Sequence, residues 1–381
     1  MSMNTTEMKT EKRLLRWFRL CPARHMCSLI GLLVIGAYFL LHRRAALMQT
    51  VCDRFVRPWH RTVSRLCSHL PFSAAEVLIV AGVLLALFYI VYTLVLMLRR
   101  PEKLKRLYRF FMSCLTAFAL IYGGFCLFWG VYYDCADFED QSGVRAQPVS
   151  VEQLTAVTRY FTDLMNGYGE QIARTDDGAF AEDIDAAFDR SAHLYDAVEN
   201  TFPCLRGDDL EAKPFFFSRF MSYINFTGFF FPFTGEANIN VDSPAALIPS
   251  TIAHEIAHQR GVAEEDEANF AAVVSSLENG DPVYCYSACL MAYIYLGNAL
   301  YDADYDAWSE NYGRIGAGPR RDLDDNNAYW KQFETPVGDV ADTVYTGFLQ
   351  SYGQTDGLKT YGKCVDLLIA YYYDDALEAM K

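Results

Sequence analysis

The feature that most constrains this chain is a set of apolar runs within its first 133 residues. Val77–Leu98 and Phe110–Tyr133 contain no charged residue. A helix of about 20 apolar residues crosses the hydrocarbon layer of a bilayer, and only a helix or a closed barrel satisfies its own backbone there. Both runs are therefore expected to span a membrane. A shorter run, Met26–Leu41, is bracketed by Arg24, His25, His42, Arg43 and Arg44. No small-residue cleavage site follows it, so it reads as a third span rather than a removable leader. The expected organisation is a basic tail over 1–25, a membrane region over 26–133 with spans near 26–42, 77–98 and 110–133, and a further domain over 134–381.

Charge divides along the same line. Residues 1–133 hold 18 Lys and Arg against 5 Asp and Glu, and the remainder holds 15 against 42. The basic part coincides with the apolar runs and the acidic part has little to offer phosphates, so no nucleic-acid partner is expected. Positive residues favour the cytoplasmic side. The tail (Lys9, Lys12, Arg13, Arg16, Arg19, Arg24) and the loop after Leu98 (Arg99, Arg100, Lys103, Lys105, Arg106, Arg109) are then cytoplasmic. Three crossings place the acidic domain outside the cytoplasm. The loop His42–Ser73, which would share that outer side, opposes this with six arginines. The localisation expected is a multi-pass cell-membrane protein with the lipid bilayer as a partner.

The acidic domain reads as mostly helical. Helical spacing of apolar residues marks Val151–Ile172, Glu182–Asn200, Pro282–Tyr301, Asp325–Phe333, Gly338–Tyr352 and Leu358–Met380. Residues 213–241, rich in Phe, Tyr, Thr and Gly, are the β-forming stretch, and Ala237–Val241 alternates as an edge strand would. The cysteines include no CxxC pair, and Cys285 and Cys289, four apart on a helix, suit a buried thiol pair. The fold class expected is mainly α: three transmembrane helices, then a helical domain with a small β edge element.

His254-Glu255-Ile256-Ala257-His258 lies in one of these helical stretches. Residues four apart share a helix face, so both imidazoles can hold one metal ion while Glu255 stands beside it as a general base. Gly261 is placed to end that helix. A hydrolytic zinc site takes three protein ligands and keeps the fourth position for water. Glu264, Glu265 and Glu267 follow at once and compete for the third place. Glu265 is preferred, because Asn269 stands four residues on, where it can orient a histidine. The bland alternative for any one of these glutamates is a solvated first turn favoured by the helix dipole. Glu236 and Asn238 are candidates for binding substrate backbone along the edge strand, and Tyr361, Arg320 or Arg321 for donating to a developing oxyanion.

The string HEIAHQRG followed by EDEANFAA resembles the Glu-ligand zincin metallopeptidases. The second string is similar to the helix after HExxH in ImmA/IrrE-type peptidases, E-x-x-A-N-x-F-A, although here the alanines follow Phe270 one position early. The whole chain, with PFSAAEVLIV, PFTGEANIN, HEIAHQRG and EDEANF, resembles an uncharacterised bacterial three-span membrane-protein family with a predicted HExxH site. In that family's motif the acidic run starts at the position of Glu265, which leaves Glu264 outside it. The resemblance implies a zincin-like domain holding one zinc through His254, His258 and Glu265. The expected activity is hydrolysis of a peptide or protein near the membrane surface. The alternative is a zinc-stabilised sensor or scaffold without turnover.

Overall fold

The computed structural model describes residues 17–352 and 361–381, without the side chain of Tyr361. These residues are mainly helical, with one three-stranded sheet. They form two compact units, Met1–Val56 with Glu76–Asp134, and Arg57–Ala75 with Cys135–Lys381.

The first unit contains α1 (Pro22–Leu41), most of α3 (Ala74–Arg99) and α4 (Lys103–Phe128), each long and apolar enough to cross a membrane. The helices do not follow the apolar runs residue by residue. α4 begins at Lys103 because its basic first turns have no reason to leave the helix, and it ends at Phe128, where Gly130–Asp134 tightens into a 3-10 turn. α1 and α4 touch backbone to backbone. A Cβ on Gly31 would stand 2.5 Å from the carbonyl oxygen of Ala119, and the hydroxyls of Ser28 and Thr116 meet at 2.9 Å across the same crossing.

The second unit is built around α8 (Pro282–Ala303). This helix also meets the length and apolarity of a span, but 78% of its most apolar window is buried. A helix that is hydrophobic all round belongs in a core. Tyr284, Tyr286, Cys289 and Leu290 of α8 share one cluster with Phe161 and Met165 of α5 (Val151–Gly169), Phe270 and Val273 of α7 (Glu265–Asn279), and Leu368 and Tyr372 of α10 (Tyr361–Ala379). The helix expected over 182–200 is shorter than its periodicity suggests. Only Ile184–Arg190 is α-helical, and a 3-10 turn at Ser191–His193 follows. Leu194, Tyr195 and Val198 are buried from irregular backbone, and the Tyr195 hydroxyl donates to the carbonyl of Ala253. Cys285 and Cys289 are free and buried.

The sheet has the order β1-β3-β2, with β1 (Lys213–Phe215) parallel and β2 (Gly228–Phe231) antiparallel to β3 (Glu236–Asn240). The edge-strand expectation for Ala237–Val241 is corrected here: β3 is the middle strand and is buried along its whole length. Its alternation is real, but both faces are covered. Ala237 and Ile239 join the core cluster with Ile252 and Ile256 of α6 (Ile248–Gln259). Glu236 and Asn238 face the chain that precedes α3. The Ser73 hydroxyl donates to Asn238 Oδ1 at 2.5 Å, and the amides of Ala74 and Ala75 donate to the Glu236 carboxylate at 3.0 and 2.8 Å. Lys213, paired with Asn238 in the register, donates to the carbonyls of Cys67 and Leu70. The later part of the segment that reads as an outer loop, from Arg57 on, is thus part of this unit, with α2 (Arg57–Ser68) packed against the β2–β3 turn.

Candidate metal centre

α6 carries Pro249 in its first turn, where a missing N–H costs nothing. It buries Ile252, Ala253, Ile256 and Ala257 and leaves His254 and His258 on another face. It stops at Gly261, whose φ of +96° lies in the region that favours glycine, and the amide of Val262 donates back to the Ala257 carbonyl at 3.1 Å. This reversal brings the start of α7 back over the histidines. Glu264 caps α7 in extended conformation and Glu265 is its first residue.

Three side chains converge there. Glu265 Oε2 lies 3.2 Å from His254 Nε2 and 3.5 Å from His258 Nε2. Two ligands of a tetrahedral ion held at about 2.0–2.1 Å stand about 3.3–3.4 Å apart, so these separations match the edges of such a site. The other ring nitrogens fix the tautomers. His254 Nδ1 donates to Asn269 Oδ1 at 2.8 Å and His258 Nδ1 donates to the Val262 carbonyl at 2.7 Å. Both Nε2 atoms are thereby turned toward the shared point. The Tyr345 hydroxyl, from α9 (Pro336–Ser351), donates to the remaining oxygen of Glu265 at 2.7 Å. His254, His258 and Glu265 are therefore a set that could hold a metal ion.

The charges of the three groups favour one another. Burial raises Glu265, but the two histidines outweigh it and hold its carboxyl well below the ordinary range. Burial lowers His258, but the Glu265 charge overrides it and the imidazole rises to about 9. Glu255 differs. It is 3% exposed, and burial pushes it up to about 7 against the pull of both histidines. Its Oε2 has no hydrogen-bond partner among the described residues. This buried carboxylate feels the charges of both histidines, and a buried polar atom without a partner is uncommon. β2 presses against this carboxylate, and a Cβ on Gly228 would lie 2.6 Å from its Oε1.

Residues 53–369 match the profile of DUF3810, a protein family of unknown function. The chain belongs to this family. The match includes Arg57–Ala75 as well as the metal centre. No curated protein and no solved structure matches the chain.

The other candidates lie elsewhere. Glu267 accepts the amides of Phe138 and Glu139 at 2.9 and 3.2 Å, and Lys363 bonds to it at 3.2 Å and to Glu264 at 2.5 Å. Both glutamates anchor neighbouring chain rather than face the histidines. Glu236 and Asn238 are tied to residues 73–75 and line no free edge. Arg320 holds the Tyr312 carbonyl and Arg321 reaches Asp177. Tyr361 opens α10, but its side chain is outside the described residues. Tyr345 was not anticipated, and nothing in the spacing of the sequence ties it to Glu265. Gly228 immediately precedes the phenylalanine run 229–231.

Proposed function

We propose that this protein is a membrane-anchored zinc metallopeptidase whose zincin-like domain cleaves a peptide or protein near the membrane surface. The observation that carries the reading is the approach of both histidine Nε2 atoms to one oxygen of Glu265, with the open carboxylate of Glu255 alongside. His254, His258 and Glu265 would hold the ion, two imidazoles and one carboxylate being a donor set of catalytic zinc. Bound zinc supplies an activated water and polarises the scissile carbonyl. Glu255, buried beside these residues, would carry a proton between the attacking water and the leaving amine. Asn269 and the Val262 carbonyl keep the imidazoles in register, and Tyr345 keeps Glu265 in place.

The three apolar helices α1, α3 and α4 serve as the spans of this reading. The domain then lies outside the cytoplasm, since the basic tail and the basic loop before α4 stay inside.

Metal analysis of the purified full-length protein is the first test, with about one zinc per chain expected and loss of it in His258→Ala. Glu255→Gln is expected to keep zinc and abolish cleavage. Cleavage is read as new N-termini in membranes of cells carrying the wild type, absent with the variant. Zinc retained and an unchanged set of N-termini would instead favour the non-catalytic scaffold.

A further inference from the structure

We propose that α9 is a lid over the metal centre, latched shut through Tyr345 and Asp342, which lifts to let an ion or a larger ligand reach the histidines. The need for a moving part comes from burial. His258 and Glu255 are buried, and the side chains of His254 and Glu265 are 13% and 22% exposed. An ion has little open surface through which to approach the two Nε2 atoms, and a peptide chain is larger still. Three of the elements at the centre are held from behind. α6 is anchored by Ile252 and Ile256, α7 by Phe270 and Val273, and β2 by its pairing with β3. α9 is not anchored in this way. Of its sixteen residues only Gly338 and Leu349 are buried, and Val337, Val340 and Val344 are exposed. A helix that buries so little apolar surface is the part of a unit that opens most readily.

The contacts that keep α9 down are concentrated at the site. The Tyr345 hydroxyl donates to Glu265 Oε1 at 2.7 Å, and its ring meets Phe226 edge-on with centroids 5.1 Å apart. One turn earlier, the Asn225 side-chain amide donates to Asp342 Oδ2 at 3.0 Å. Asn225 and Phe226 belong to one short loop, which leads into β2 and so to Gly228 against the Glu255 carboxylate. Asn225 has φ +58°, a left-handed conformation that asparagine tolerates better than most residues. The closed lid thus touches a ligand atom on one side and the loop beside Glu255 on the other.

The start of α9 supplies a pivot. Phe333 is buried, with its ring 5.2 Å from that of Tyr223, 5.1 Å from that of Tyr329 and 4.6 Å from the Arg219 guanidinium. Thr335, two residues on, caps α9 from extended backbone. A rotation of the backbone at Glu334 and Thr335 swings Tyr345 away from Glu265 and leaves the aromatic cluster in place, the kind of change that a few residues at the end of an element absorb in a hinge. On the peptidase reading, the same motion admits the substrate.

The test uses the full-length protein, with the zinc ion alone as the probe. Asp342→Ala removes the acceptor of the latch. Asn225→Gly removes its donor, and glycine keeps the left-handed turn. Zinc release into excess chelator and zinc uptake by the stripped protein are timed separately. Both rates are expected to rise about 5-fold in each variant, the weight of one lost hydrogen bond. Affinity should stay within about 2-fold, because a lid that opens more often speeds entry and exit alike. The double variant should go no further than either single one, since both cut the same bond. Faster release without faster uptake overturns the proposal, because it marks Asp342 as a mere support of the ligands. Unchanged rates in both variants overturn it too. Amide hydrogen exchange is the second measurement and needs no metal. Residues 340–349 are expected to exchange at least about 10-fold faster than the core of α8, and faster again in both variants. Protection of α9 equal to that of α8 overturns the lid. A protein that holds no zinc would sink the peptidase reading, and hydrogen exchange would still decide on the lid.

Discussion

At the scale of single residues, neighbours in sequence have unrelated tasks. Glu264, Glu265 and Glu267 are chemically equivalent, yet only Glu265 faces the imidazoles, while Lys363 draws the other two aside. Glu265→Ala is expected to abolish zinc binding, whereas Glu264→Ala and Glu267→Ala retain it, as metal analysis of the three proteins would show. Tyr345→Phe removes one hydrogen bond to Glu265 and leaves its ring in place. It should weaken zinc about 10-fold or more, read by competition with a chelator. Gly228→Ala brings a methyl to 2.6 Å from the Glu255 carboxylate. Retained zinc with strongly reduced cleavage is the expected result. His60 gives a prediction for pH. Burial lowers its imidazole from 6.5 to about 4, so the folded protein stays neutral there while the unfolded chain takes up a proton. Its contribution to stability is full above about pH 6.5 and is lost as pH falls toward 4, roughly 3 kcal/mol in all. Denaturant titrations across that range should show the loss, and His60→Asn should flatten it.

At the scale of elements, the turn between α6 and α7 determines whether there is a site at all. The HExxH spacing places two imidazoles on one face, but a third ligand arrives only if the chain reverses within a few residues. Gly261 at φ +96° makes that reversal possible. Gly261→Ala forces a side chain into that conformation and should destabilise the domain by about 1–2 kcal/mol. A lower midpoint of thermal unfolding and reduced zinc occupancy are expected together, because the same turn positions Glu265. β3 shows the opposite relation between pattern and placement. Its polar and apolar residues alternate, which a one-sided edge strand would also show. Here the polar side is buried too, because Ser73, Ala74 and Ala75 satisfy Glu236 and Asn238. Alternation reports that two faces differ, not that one of them meets water.

At the scale of the molecule, Arg57–Ala75 and Cys135–Lys381 form one unit, so they lie on the same side of any membrane the chain crosses. On the proposed reading, α3 and α4 would cross as a pair. Labelling with a membrane-impermeant reagent should find positions 69 and 381 on one face and position 101, between those helices, on the other. Of the six arginines that stood against the charge rule, Arg65 is bound to Asp208 within this unit. The sequence by itself determined the long apolar helices, the helical character of the domain, the histidine pair and the stop after it. All of these are local: they rest on the length of an apolar run, on a 3.6-residue period and on the conformational freedom of one glycine. Tertiary structure alone decided which glutamate faces the histidines, that Tyr345 supports it, that α8 is mostly buried, and that Arg57–Ala75 belongs to the second unit. Those are contacts between residues far apart in the chain, and no period or spacing encodes which buried group will meet which partner.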